Sequence, residues 1–498
     1  MENRNQQSPR SRFSFGTWGT DRERLIAQAM PLVCGLLGVC GAALVFTAPG
    51  ILAVLGAGVV IALSAVESEA FLLFVVFLMP FGLMLPGDTP IRAVHVAFHG
   101  LVVAGFFLGR LVRRNVDMGS LTSSPVSRAS LLFLLIAVVP TILVAERRTH
   151  ESMRAAIDLI TYVGFYFLVV AWSDTRERIR KVQYALLVST ILTALYAIYQ
   201  ILTGGYGPLW SALYPPGDYQ TRSDWVGRSS SILATPGNLA GYLDLVLPFA
   251  LGLWVCGQGR WRKLGAWTFG LGVMALFSTQ GLGGIMGFVA FLALAIFRFV
   301  PTTKGRLTLL TFLGVSACLL YVFLHIISPI HTSEYLDDDA VTRFYLWTRA
   351  WTLFTQSPVM GVGWGNFTVV FGIGDDPFFV PDQVAAHNIY LQLLAETGLV
   401  GFVVFSYLVF RSWKQALRLG RSSKDAVDRA LAFGIQGALV AELVHGFVDF
   451  LFEADQQYGT LFWTLLALLV VSSRESMVTS AAPVQAGNEF GMGQPQAL

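Results

Sequence analysis

The chain has 498 residues, of which 54% are hydrophobic and only 13% charged, with a formal net charge of +3 and a mean hydropathy of +0.61. Soluble domains carry roughly 25% charged residues, so this composition excludes a soluble enzyme and a disordered chain. So weak a net charge also excludes a nucleic-acid-binding protein. What remains is an all-α integral membrane protein, each span needing roughly 20 apolar residues.

In chain order, a polar arm with five arginines (1–28) is read as cytoplasmic rather than as a cleavable leader. Fourteen apolar segments follow, near 29–47, 50–66, 69–86, 94–109, 129–145, 155–172, 182–203, 234–256, 264–279, 281–297, 307–328, 389–410, 430–450 and 458–473. Very short turns join some pairs, so the expected number is about 12–14 transmembrane helices. The tail 474–498, rich in Ala, Gly, Gln and Pro, is read as disordered. Cys34, Cys40, Cys256 and Cys318 all lie in apolar runs at spacings that suit no zinc site, and read as small core hydrophobes.

Charge sets the orientation. With the N-terminus inside, 26 of the 34 Lys and Arg fall in inside loops and 8 in outside loops, and both termini are cytoplasmic. Glu146-Arg147-Arg148 is the outside stretch that runs against the rule. Two long loops then face out, 204–233 and 329–388. In the second, Phe344, Trp347, Trp351 and Phe354 recur at helical spacing. They predict a surface helix over 341–356 that lies on the membrane or packs on other loops.

Cations are scarce outside, which marks Arg222, Arg228, Arg343 and Arg349. A guanidinium matches phosphate oxygens with a planar fork, and a lipid diphosphate presents such oxygens at this depth. Pairing with nearby loop acids is the alternative. His387 opens a span, and a helix N-terminus disfavours imidazolium while attracting anions. A neutral imidazole there accepts a proton. His445 and Asp449 are i, i+4 near the outer end of a span and are placed to pair. Asp158, Asp244, Glu396 and Glu442 also fall at membrane depth. The acid runs Asp337–Asp339 and Asp375-Asp376 read as solvated loop acids rather than a cation site. Gly361-Val-Gly363-Trp-Gly365 is a turn and not a nucleotide fingerprint.

Three stretches carry a resemblance. They are Arg228 with Thr235-Pro236-Gly-Asn238, then Arg343-Phe-Tyr-Leu-Trp347 with Pro358-Val-Met-Gly361-Val-Gly363, then His387-Asn388-Ile-Tyr390-Leu391 with Glu396-Thr-Gly398. Their order and spacing over roughly 182–473 resemble the O-antigen ligase and polymerase superfamily. The resemblance implies transfer of a glycan from undecaprenyl diphosphate to an acceptor at the periplasmic face of a bacterial inner membrane. The acceptor would be another glycan, lipid A core or protein, and neither cofactor nor metal is implied. Matched residue by residue, His387 is the base and Arg228 and Arg343 contact the diphosphate. Arg222, Arg349, Asn388 and His445 are expected as further substrate contacts from their own place near the outer face. Members often carry Ser-Arg-Gly where this chain reads Ser278-Thr279-Gln280-Gly281. A lipid-linked-glycan flippase or a small-anion transporter is the alternative from another class, although no internal repeat is detectable.

Overall fold

A computed structural model describes residues 49–80, 91–113, 118–144, 148–205, 207–208, 227–233, 235–322, 333–367, 385–449 and 456–481. The chain divides into two units, Met1–Leu63 and Ser64–Leu498. The described part of the first unit is helical, in α1 (Pro49–Ala65). The second unit holds α2 (Glu69–Leu78), α3 (Ile91–Val112), the short α4 (Met118–Thr122), α5 (Pro125–Leu143), α6 (His150–Trp172), α7 (Arg176–Thr203) and α8 (Pro236–Cys256). After these come α9 (Gly259–Thr279), α10 (Leu282–Phe299), α11 (Thr303–Val322), α12 (Ser333–Gln356), α13 (Ile389–Ser422), α14 (Ala426–His445) and α15 (Gln456–Ala481).

No strand occurs among the described residues. The protein is an all-α, multi-pass membrane protein. Every apolar segment from 50–66 onward overlaps a described helix, while 29–47 and the stretches 81–86 and 323–328 lie outside the described residues. Six described helices are long and apolar enough to cross a membrane, or seven if Gly56–Ala65 and Glu69–Leu78 form one broken span.

Helix starts follow local chemistry. Ser124, Thr149, Thr175, Thr235, Asn388 and Asp425 each accept a backbone N–H at an N-cap, and Pro125 and Pro236 fill first-turn positions that need no donor. Helix α8 is buried on nearly all sides, as expected of a helix apolar all round. It packs chiefly on α14 and α9, while α10 closes against α14.

Two expectations shift. The last helix runs on to Ala481, so the tail read as disordered from 474 begins as helix. Arg474 there donates to the Ser120 carbonyl and to Ser123 Oγ. Helix α12 also begins earlier than the aromatic spacing suggested. Its buried stripe is Leu346, Ala350 and Leu353, facing α13, while Phe344 and Trp351 are exposed.

The ends of α14 define the two ends of the bundle. At its start, Asp425 and Asp428 pair with Arg176 and Arg180 at 2.7–3.0 Å. At its finish stands His445. Twenty residues at 1.5 Å each separate them by about 30 Å, the thickness of a bilayer core.

Candidate functional site

The far end of α14 turns sharply through Gly446–Val448 and delivers Asp449. The first turn of α13 is knitted onto this turn. Ile389 N–H donates to the Gly446 carbonyl at 2.8 Å, the Asn388 amide to the Phe447 carbonyl at 3.1 Å, and the Tyr390 hydroxyl to the Leu443 carbonyl at 2.6 Å. Asn388 Oδ1 meanwhile caps α13 by accepting from Tyr390 N–H and Leu391 N–H. The His-Asn-x-Tyr spacing is therefore a fastening between two helix ends.

His387 precedes that cap with φ at +47°, a left-handed backbone that side chains other than glycine rarely adopt. Its Nδ1 lies 3.2 Å from Asp449 Oδ1, and a third of the ring is exposed. The other oxygen of Asp449 lies 4.0 Å from His445 Nε2, and His445 Nδ1 lies 3.0 Å from Asp244 Oδ2. The Arg343 guanidinium donates to the Val448 carbonyl and adds positive charge beside Asp449. One turn thus gathers His387, Asp449, His445 and Arg343.

Three helix N-termini point at the same turn. Ile389 opens α13. Gly237 is the second residue of α8, and a Cβ there would lie 3.4 Å from Asp449 Oδ2. Gly283 is the second residue of α10, and a Cβ there would fall 2.7 Å from His445 Nε2. Partial positive charge at such ends favours anions.

Arg228 reaches the site's border by a different route. Its Nε donates to the Thr279 carbonyl at 2.8 Å, Ser229 N–H donates to the Ser278 carbonyl at 2.9 Å, and Gln280 Nε2 donates to the Gly227 carbonyl at 3.0 Å. The Ser229–Ser231 turn behind it is buried and bound to Gln200 and Thr193 of α7. Arg228 is therefore seated on the Thr279-Gln280 turn, where Gln280 brings no charge of its own.

The other expected site residues separate. Arg222 lies outside the described residues. Arg349 is six residues beyond Arg343 on α12 and so turns to a different face of it. Asn388 and His445, expected as substrate contacts, sit in the frame of the site: the Asn388 amide caps α13 and donates to the Phe447 carbonyl, and His445 is 2% exposed. His445 has Asp244 as its nearer acid, with Asp449 the more distant one. Asp449 as the acid of His387 and Gln200 as the anchor of the Ser229–Ser231 turn beside Arg228 were not read from the sequence. The partners are distant in the chain, His387 and Asp449 by 62 positions and Gln200 and Ser231 by 31, and no local spacing marks either pair.

A sequence model of the O-antigen ligase family matches residues 267–406. The match supports membership of the O-antigen ligase superfamily. That superfamily comprises membrane glycan transferases with lipid-linked glycan and acceptor substrates. No curated protein matches the chain.

The O-antigen ligase match contains Gln280, Gly283, Arg343, His387 and Glu396, while Arg228, His445 and Asp449 lie on either side of it. It also contains a clasp between residues 358–363 and α13. The helix breaks at Gly398, with φ +63° and ψ −166°. Backbone groups released there bond across: Val362 and Gly363 N–H donate to the Ala395 and Glu396 carbonyls, both at 2.9 Å, and Leu399 N–H donates to the Pro358 carbonyl at 2.8 Å. Glu396 Oε1 accepts from Phe367 N–H at 3.0 Å. Trp364 and Asn366 then reach α5, α6 and Thr149. In this O-antigen ligase domain, Pro-x-x-Gly-x-Gly and Glu-x-Gly are two halves of one backbone joint.

Proposed function

We propose that the protein transfers a glycan from undecaprenyl diphosphate to an acceptor hydroxyl at the periplasmic face of a bacterial inner membrane. The observation that carries this reading is the contact of His387 Nδ1 with Asp449. A carboxylate on Nδ1 orients the ring and leaves Nε2 to take a proton. In the proposed step the acceptor O–H gives its proton to Nε2 while its oxygen forms a bond to the anomeric carbon. The bond from that carbon to the diphosphate breaks, the electron pair leaves on the diphosphate, and the anomeric centre inverts. Arg343, Arg228 and the three helix N-termini offer positive charge where the leaving group gains negative charge. Arg222 and Arg349 are proposed as outer contacts. Ligation to lipid A core or protein and polymerisation of repeat units share this step and differ only in the acceptor.

The test is turnover in proteoliposomes with a defined undecaprenyl-diphosphate glycan and a panel of acceptors. His387→Ala is expected to lose transfer by at least about 100-fold while still binding donor. Near-normal turnover in a well-folded His387→Ala protein overturns the reading.

A further inference from the structure

Behind Asp449 lies an ionisable pair that the transfer step does not use. Side-chain exposure is 3% for His445 and 0% for Asp244. With Asp449 and His387 they form an alternating series, acid, imidazole, acid, imidazole, from the bundle interior to the part-exposed ring of His387. Ionisable groups at this depth are costly unless paired, and usually mark function. Helix α10 closes the space around the pair. A Cβ at Gly283 would fall 2.7 Å from His445 Nε2, and one at Gly287 would fall 2.8 Å from Asp244 Oδ2. The ring therefore sits against backbone and has little room to turn from Asp449.

We propose that His445 and Asp244 are positioning residues for His387, Asp244 fixing the His445 ring and His445 steadying the second oxygen of Asp449 while sharing its negative charge. This rests on the reading of His387 as the base. A carboxylate favours the protonated form of a ring beside it. Two rings that draw on Asp449 divide that influence. If His445 is removed, the whole of it acts on His387, which then holds its proton to higher pH and serves as a base only above it.

Charged and titratable groups reach His445 from every neighbouring element except α10. Asp244 comes from α8, and Glu442 from the preceding turn of α14, itself accepting from the Tyr458 hydroxyl of α15. Asp449 and then His387 and Arg343 lie on the outer side, and α10 contributes only glycines.

The experiment is the pH profile of kcat and of donor KM in proteoliposomes with undecaprenyl-diphosphate glycan, for His445→Gln and Asp244→Asn. The expected result is a fall in kcat of about 10- to 100-fold near neutrality, an unchanged donor KM, and an acid limb moved to higher pH. Gly283→Ala keeps all four groups but drives a methyl into the His445 ring, and is expected to move the limb in the same direction. An unmoved limb in all three variants overturns the proposal, whether the rate is intact or uniformly low. His387→Ala separates the two readings. Turnover there removes the base itself, whereas an inactive His387→Ala beside an unmoved limb in His445→Gln removes only the positioning role.

Discussion

His387 keeps a strained backbone because both its neighbours are fixed. Ala386 N–H donates to Gln392 Oε1 at 2.7 Å, and Asn388 is bound on both sides of its amide. A left-handed non-glycine residue stores about 1–3 kcal/mol, so the ring stays toward Asp449 only while those neighbours hold. Asn388→Ala is therefore expected to lower stability by about 1–2 kcal/mol through the lost cap. It should also reduce kcat more than donor affinity; thermal unfolding and turnover of the solubilised protein measure the two effects. His387 was legible in the sequence because a histidine at a helix start, next to a recurring motif, has a local signature. Asp449 was legible only as a neighbour of His445, because its pairing with His387 is made by the tertiary meeting of α13 and α14. The capping role of Asn388 was not legible beside its expected contact with substrate, because the same amide that can hold a sugar also caps helices and spacing alone does not separate these uses.

The element that behaves least as its sequence suggests is α13. Its apolar run reads as one continuous span, and an isolated glycine in such a run is ordinarily tolerated. Here Gly398 is the break, and its carbonyls and amides are satisfied by the segment 358–363. A Cβ at Gly398 would lie 2.6 Å from Met360 N, and one at Gly361, whose φ is +64°, would lie 2.5 Å from Thr397 N. Both lie against backbone that cannot step aside. Gly398→Ala and Gly361→Ala are each expected to cost at least about 2 kcal/mol. The double variant should cost less than the sum, since each opens the same joint. Thermal unfolding of the single and double variants checks this. The helices themselves were readable, because apolar length and capping residues are local properties. The seat of α12 was left open between the membrane surface and loop packing, and in the structure Leu346, Ala350 and Leu353 face α13 while Phe344 and Trp351 point outward.

At the scale of the whole molecule, α14 carries a cluster of charged groups at each end. Arg176 and Arg180 meet Asp425 and Asp428 at the start of α14, about 30 Å from the histidine turn at its finish. Burial pushes the Asp425 carboxyl up, but the charges of Arg180 and Arg176 and two backbone N–H groups outweigh it and hold the carboxyl below its ordinary value. Such a group stabilises the folded chain above the ordinary carboxylate value, near pH 4. That contribution is lost as pH falls through the depressed value. Asp425→Asn keeps the cap and removes the charge, so it is expected to lower stability by up to about 1 kcal/mol at neutral pH. The difference from the unaltered protein should vanish in acid, which thermal unfolding across pH reads directly. The backbone joint at Gly398 also bears on how this architecture can be exchanged between relatives. The loop 329–388 ends in sequence at 388, yet its hydrogen bonds end at Val400. A chimera cut at the membrane boundary would leave each half of the joint facing a foreign partner. The transplantable module is the loop together with the first three turns of the helix that follows it.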